Sequence, residues 1–408
     1  MAAGFAVNLC LGVLYAWGVI SAALIDRMGW TATQTQLPYM TACACFALSM
    51  VPGGRLQDRY GPRMVITASA ILAGIGFVLS GATLSVIGLI VFFGVVFGVA
   101  MGLGYAAPTP AAVKWFGSHR RGIISGIVVS GFGLAPVVMA PTATTLIEAF
   151  GIRAAFVIIG LGYLAILLVL AQFISNPPAG YTTQPAPAGY RRVNVALRDH
   201  DWREVLRSRV FYVLWVLFCF GTFAGLLVIG QLSKIGAEQA GIATPFILIT
   251  VYAVFNAGGR VAWGVISDRI GRARSLFIAF TVQLLTYLVF ARLTTPAGLF
   301  AGIAAVGFTF GGMLTLFPSF TADSFGLKNL GVNYGMLITA WGVGGVFGPL
   351  VGGLVRDMTG TYAISYTVSA GLSAAGALGA LWLPRLMAHD SLVDARREHQ
   401  ATTVPVGE

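Results

Sequence analysis

The sequence predicts an all-α membrane protein: twelve transmembrane helices in two six-helix bundles. Three observations carry that prediction. The 408 residues are 57% hydrophobic and only 10% charged, whereas a soluble chain of this length needs far more charge to cover its surface. The apolar residues fall into runs of about 20, the length that crosses a hydrocarbon core. The first half of the chain also recurs in the second at a fixed displacement.

Twelve runs lie near 2–25, 35–56, 64–83, 85–109, 121–147, 154–174, 210–232, 245–266, 275–292, 297–320, 331–354 and 362–383. They read as helices because lipid offers a spanning backbone few other ways to satisfy its polar groups. The duplication is read from the turns. Gly54-Arg55-Leu56-Gln57-Asp58-Arg59-Tyr60-Gly61 follows the second run, and Gly264-Val265-Ile266-Ser267-Asp268-Arg269-Ile270-Gly271 follows the eighth, 210 residues on. Gly98 and Gly102 recur as Gly307 and Gly311, and Gly122 and Gly126 as Gly331 and Gly335, at 209. Repeats of this kind put a binding site near the bilayer midplane, between halves that rock around it. The one long polar stretch, Ser175 to Arg209, is proline-rich and then amphipathic, which suits a linker. The predicted organisation is a bundle over 1–175, a cytoplasmic linker over 176–209, a second bundle over 210–388 and a cytoplasmic tail over 389–408.

The net charge of +11 is a topology signal. Of 25 cationic residues, 19 lie in alternate loops or after the last run and 5 in the opposite loops. That bias predicts a multi-pass protein of the inner (cell) membrane with both termini cytoplasmic. It leaves no role for a nucleic-acid partner. Cys10, Cys43, Cys45 and Cys219 lie in apolar runs and read as small packing residues. The chain opens directly into its first run, without a charged leader or cleavage site.

One cation breaks the pattern. Arg260 precedes Asp268 by eight residues on one predicted helix, so it lies about 12 Å deeper, and half a hydrocarbon core is about 15 Å. Its counterpart in the first half is Met50, so duplication does not explain it. A lone intramembrane cation costs at least ~2.5 kcal/mol and faces a polar cavity with a partner. The predicted helix cores hold no Asp, Glu, Lys or His to serve as one. The partner is therefore read as an anionic substrate. One carboxylate about 4 Å away gains about 4 kcal/mol at an effective dielectric of about 20. A second, unpaired carboxylate costs several kcal/mol to desolvate, so a small monocarboxylate fits and a dianion does not. The same inventory provides no groups for acid–base or metal chemistry, which speaks against an enzyme, a cofactor or a metal site.

The turns match G-x-x-x-D-R-x-G-[PR], and over its whole length the chain resembles the major facilitator superfamily. Asn256-Ala257-Gly258-Gly259-Arg260-Val261-Ala262-Trp263-Gly264 resembles the eighth helix of the monocarboxylate transporters. Lys114-Trp115-Phe116, His119-Arg120-Arg121-Gly122 and Gly102-Leu103-Gly104-Tyr105 before Pro108 are similar to that family's segments around helices 4 and 5. The oxalate/formate exchangers are the sister group. The resemblance implies a secondary active transporter of a small monocarboxylate such as L-lactate or pyruvate, with a co-transported proton, by alternating access around Arg260. Anion exchange of the oxalate/formate type is the alternative. A proton-coupled drug exporter is less favoured: its motif G-x-x-x-G-P-x-x-G-G occurs at Gly344–Gly353, on helix 11 instead of helix 5, and the buried acid such an exporter wants is missing.

Three departures from the family pattern matter. Asn256 stands where the family has its acid, Val19 where animal members have a helix-1 lysine, and Trp341 where the oxalate exchangers have a second cation. Around Arg260 the expected substrate-binding residues are Asn256, on the same helix face at i−4, and Tyr105 and Tyr334 as hydroxyl donors. Leu14 and Phe317 are the expected apolar walls. Asp58, Arg59, Asp268 and Arg269 are the expected cytoplasmic gate, a charged latch that breaks when the halves rock. The expected partners are the carboxylate anion, the proton and the lipid bilayer, with no obligatory protein partner.

Overall fold

In a computed structural model describing residues 1–178, 180–183, 199–242 and 245–403, the apolar runs become helices bounded by turn-forming residues. The spans are α1 (Ala2–Met28), α2 (Ala32–Tyr60), α3 (Pro62–Thr83), α4 (Val86–Lys114), α5 (121–150) and α6 (152–172). The second half follows with α7 (Arg209–Ala240), α8 (Pro245–Ile270), α9 (Arg272–Phe290), α10 (Pro296–Phe325), α11 (Leu330–Arg356) and α12 (Ala363–Thr403). α5 and α6 meet at Gly151, whose φ of 79° and ψ of 167° break the helix without a loop.

Two ends depart from expectation. α7 runs eight residues past its predicted end and stops at Gly241 (φ 62°), whose N–H and that of Ile242 close onto Ala237 and Gly236. The last helix continues to Thr403, so no helix end marks the expected boundary at residue 388. No Gly or Pro occurs between Arg385 and Thr403 to stop it. Residues 179 and 184–198 of the expected linker and 404–408 of the expected tail lie outside the described residues.

The duplicated turns keep their shape. Gly61 (φ 85°) joins α2 to α3 and Gly271 (φ 91°) joins α8 to α9, a backbone region that Gly enters at no steric cost.

The halves meet along two equivalent seams. On one, α2 lies against α11: a Cβ on Gly54 would collide with the Gly331 carbonyl, and one on Gly335 with the Met50 carbonyl. On the other, α8 lies against α5: a Cβ on Gly264 would collide with the Gly122 carbonyl, and one on Gly126 with the Arg260 carbonyl. The repeat displacements carry each of these contacts onto the other seam. The obstacle in each case is backbone, which cannot step aside. Gly54→Ala is therefore expected to keep the turn-bearing ends apart. A cysteine introduced at Ile123, with the four native cysteines replaced, would then react severalfold faster with a membrane-impermeant maleimide. An unchanged rate would show that the seam accommodates a methyl group.

Three helices lose regular α geometry at the centre. α1 tightens into a 3₁₀ turn over Gly12–Ala16. α4 breaks at Ala107, ahead of Pro108, which cannot supply an N–H. α11 breaks at Ile338. Interrupted helices of this kind recur at transporter binding sites, where freed backbone lines a cavity.

Candidate functional site

Those breaks converge. Tyr15 from the α1 turn, Tyr105 beside the α4 break and Ile338 at the α11 break line one small cavity, together with Phe46, Phe132, Leu314 and Trp341. Its volume of ≈ 10 Å³ is about that needed by a single water. The site is therefore closed down in this conformation. The rings lock together edge-on: Tyr105 on Phe46 and Phe132 at 5.5 and 5.2 Å, Tyr15 on Phe132 at 5.1 Å.

Behind the tyrosines lies Arg260, fully buried. Its Nε donates to Asn256 Oδ1 at 2.8 Å, and its Nη1 donates across the seam to the Val129 carbonyl at 2.5 Å. Nη2 has no hydrogen-bond partner, and neither has Asn256 Nδ2. Tyr15, Tyr105 and Tyr334 all lie within electrostatic reach of the guanidinium. Among the described residues Arg260 makes no ion pair. The guanidinium thus has only neutral partners and a spare donor, a bond and a charge that a bound anion would complete.

The structure brings Arg260, Asn256, Tyr105 and Tyr334 together. Leu14 and Phe317, expected as apolar walls, are buried elsewhere. Leu14 precedes the residue that does reach the cavity, Tyr15, and Phe317 stacks on Phe218 at 4.3 Å while Leu314, one turn earlier, takes the lining position. One residue turns a side chain by about 100°, which separates Leu14 from Tyr15, while Phe317 lies one turn further along its helix than Leu314, where it meets Phe218. Spacing along the chain does not reveal Tyr15, Phe46 and Phe132 and marks Trp341 only as standing in place of the exchangers' second cation, since an aromatic on an apolar helix reads as packing until its neighbours are known.

The turn-bearing end is closed by carboxylates. Asp58 accepts from Val332 N at 2.9 Å, at the start of α11 in the other half, and pairs with Lys114 at 3.3 Å. Asp268 accepts from Gly122 N and Ile123 N, both at 2.9 Å, at the start of α5 in the other half. Each carboxylate thus sits on the positive end of an opposing helix, where free N–H groups and the helix dipole favour it. The expected arginines do not share this arrangement. Arg59 is exposed and lies over the Tyr60 ring, and Arg269 is exposed. Both follow the carboxylate by one residue, which points them off the seam.

The cations at the seam are others. Arg272 Nη1 pairs with Asp268 at 2.7 Å and its Nε with Asp323 at 2.9 Å, while Arg121 Nη1 reaches Asp323 at 2.9 Å from the first half. This chain of two acids and two bases is nearly inaccessible to solvent. It has no copy on the other seam, where the displacements put Lys114 for Asp323, Pro62 for Arg272 and Leu330 for Arg121. That sign reversal at 114 and 323 was the signal available in the sequence. The linker end fastens nearby: Asp199 accepts from Leu327 N and Lys328 N at 2.7 and 3.0 Å, and His200 N donates to the Phe325 carbonyl at 3.0 Å.

Known proteins give this geometry a context. The sequence profile of the Major Facilitator Superfamily matches residues 2–243 and again 228–407. The chain is 31% identical over 343 residues to an uncharacterized MFS-type transporter, YhjX, of Escherichia coli (strain K12), covering 83% of each. It is 28% identical to the oxalate:formate antiporter of Oxalobacter formigenes (86% of this chain, 82% of that one) and 25% identical to monocarboxylate transporter 13 of Bos taurus (94% and 88%). In fold it is similar to the MFS transporter FucP in the outward conformation, with TM-score 0.67 at 16% identity over 93% of this chain and 98% of that one.

Proposed function

We propose that this chain, which belongs to the Major Facilitator Superfamily and is a multi-pass membrane transporter, carries a small monocarboxylate such as L-lactate or pyruvate by alternating access around Arg260. The observation that carries the reading is the buried guanidinium with a free Nη2, set among neutral partners at the centre of the two halves. One positive charge calls for one negative charge. Relatives named as monocarboxylate transporters and as an oxalate:formate antiporter support a small carboxylate. We place the protein in the cell's inner membrane with the turn-bearing end and both termini cytoplasmic, on the cation bias. The lipid bilayer is then its standing partner.

The cytoplasmic latch formed by Asp58, Asp268, Arg272, Asp323 and Arg121 closes that end. Arg260 has a part in closure too, because its bond to the Val129 carbonyl crosses the seam. A carboxylate that takes over Nη1 exchanges an inter-half contact for a substrate contact. Binding and rocking are thereby coupled.

Proton symport is the coupling that the monocarboxylate transporters suggest, and it is our first reading. A second reading, anion exchange, is favoured by one observation: among the described residues no acid or histidine stands beside Arg260 to neutralise it when the substrate leaves. The empty carrier then moves a buried charge and the loaded carrier does not, a difference of at least ~2.5 kcal/mol against the empty return. Uptake of labelled L-lactate into proteoliposomes tests both. Uptake driven by acid outside an otherwise empty vesicle supports symport. Uptake only into anion-loaded vesicles supports exchange, and no uptake in either case refutes the substrate assignment.

A further inference from the structure

The repeat makes the two seams comparable residue by residue. A displacement of 210 carries Asn256 onto Phe46 and Arg260 onto Met50, and one of 209 carries Trp341 onto Phe132. The seam between α5 and α8 therefore holds the polar pair, and the seam between α2 and α11 holds apolar residues at the matching positions. Trp341 puts a polar atom on that apolar side. The indole of Trp341, 3% exposed, lines the cavity edge-on to Phe46 at 5.1 Å, and its Nε1 is buried without a hydrogen-bond partner. A buried N–H left without an acceptor is costly, and native proteins seldom keep one without a use.

Besides the Tyr15 and Tyr334 hydroxyls, the centre of the protein thus offers unpartnered N–H donors at both seams: Arg260 Nη2 and Asn256 Nδ2 at one, Trp341 Nε1 at the other. Tyr15 connects them, because it lines the cavity with Trp341 and interacts with Arg260. We propose that Trp341 forms a second, uncharged subsite that donates to a neutral oxygen of the substrate away from its carboxylate. The site would then select small monocarboxylates that carry a carbonyl or hydroxyl oxygen over plain alkanoates of the same length. It would also refuse dicarboxylates. A neutral indole N–H among Phe46, Phe132, Leu314 and Ile338 cannot offset the desolvation of a second carboxylate. This inference rests on Arg260 being the carboxylate site.

Counterflow tests it and works for a symporter and an exchanger alike. Proteoliposomes loaded with L-lactate take up labelled L-lactate, and unlabelled pyruvate competes against propionate, acetoacetate against butyrate, and malonate against both. The wild type is expected to favour an oxo acid over its parent alkanoate by about five- to tenfold, the worth of one hydrogen bond. Trp341→Phe keeps a ring against Phe46 but removes the N–H. It should bring the ratio to within about twofold, through a loss of oxo-acid competition larger than any change for the alkanoate. Malonate should compete in neither. An oxo acid no better than its alkanoate in the wild type, or a preference that survives Trp341→Phe, overturns the subsite and leaves Arg260-dependent lactate flux standing. Absence of any Arg260-dependent monocarboxylate flux overturns both readings. Ligand-induced thermal stabilisation of the purified proteins reads the same ratio in a variant too slow to transport.

Discussion

Arg260→Gln is expected to abolish concentrative uptake of monocarboxylates, with the purified protein still folded. Glutamine keeps a polar side chain at the position, so the loss isolates the charge. At about 4 Å and an effective dielectric of about 20, the carboxylate forfeits about 4 kcal/mol, close to a thousandfold in affinity. Arg260→Lys separates charge from shape. The guanidinium serves Asn256 and Val129 at once and keeps Nη2 in reserve, whereas an ammonium is a point charge without that planar fork. A loss of tenfold or more in Arg260→Lys would show that the geometry matters as well as the charge. Wild-type affinity in Arg260→Gln, measured by direct binding, would remove the arginine from the site.

The second large effect concerns the latch. Asp323→Ala deprives two buried arginines of one carboxylate, Arg272 in its own half and Arg121 in the other. Removing one member of a buried ion-pair network costs about 3–5 kcal/mol. The inter-half share of that cost falls on the closed arrangement alone, since Arg121 regains water when the end opens. Spin labels on the exposed turns, at Arg59 and Arg269, are expected to show a distance distribution moved toward the separated state. Lys114→Ala should move it far less, because Lys114 and Asp58 lie in the same half and Val332 N still holds the carboxylate. Equal shifts in the two variants would refute the asymmetry between the seams.

Much of this protein was legible in the chain. Length and density of apolar runs required helices, because lipid leaves the backbone little else. The repeated Gly-x-x-x-Asp-Arg turns revealed the duplication, and the single unexplained cation identified the centre. Asn256 and Tyr105 followed, one from helical spacing and one from the glycines beside it. The same reasoning failed where spacing along one helix says nothing about its neighbour. Leu14 and Phe317 are one and three residues from side chains that do line the cavity, and Arg59 and Arg269 are one residue from the carboxylates that do latch the halves. A helix turns about 100° per residue, so a one-residue miss changes the face, while the three residues from Leu314 to Phe317 move the side chain one turn along the helix, onto Phe218.

The sequence by itself determined what each half must be, since burial of backbone polar groups and the placement of charge are local requirements. Only the tertiary structure decided which residues meet between the halves. The Val129 carbonyl on Arg260, the Asp323 carboxylate on Arg121 and the unpartnered indole of Trp341 are all facts of the seams. Their members lie far apart in the chain, and the glycines that let two backbones touch fix which partners come within a hydrogen bond of one another.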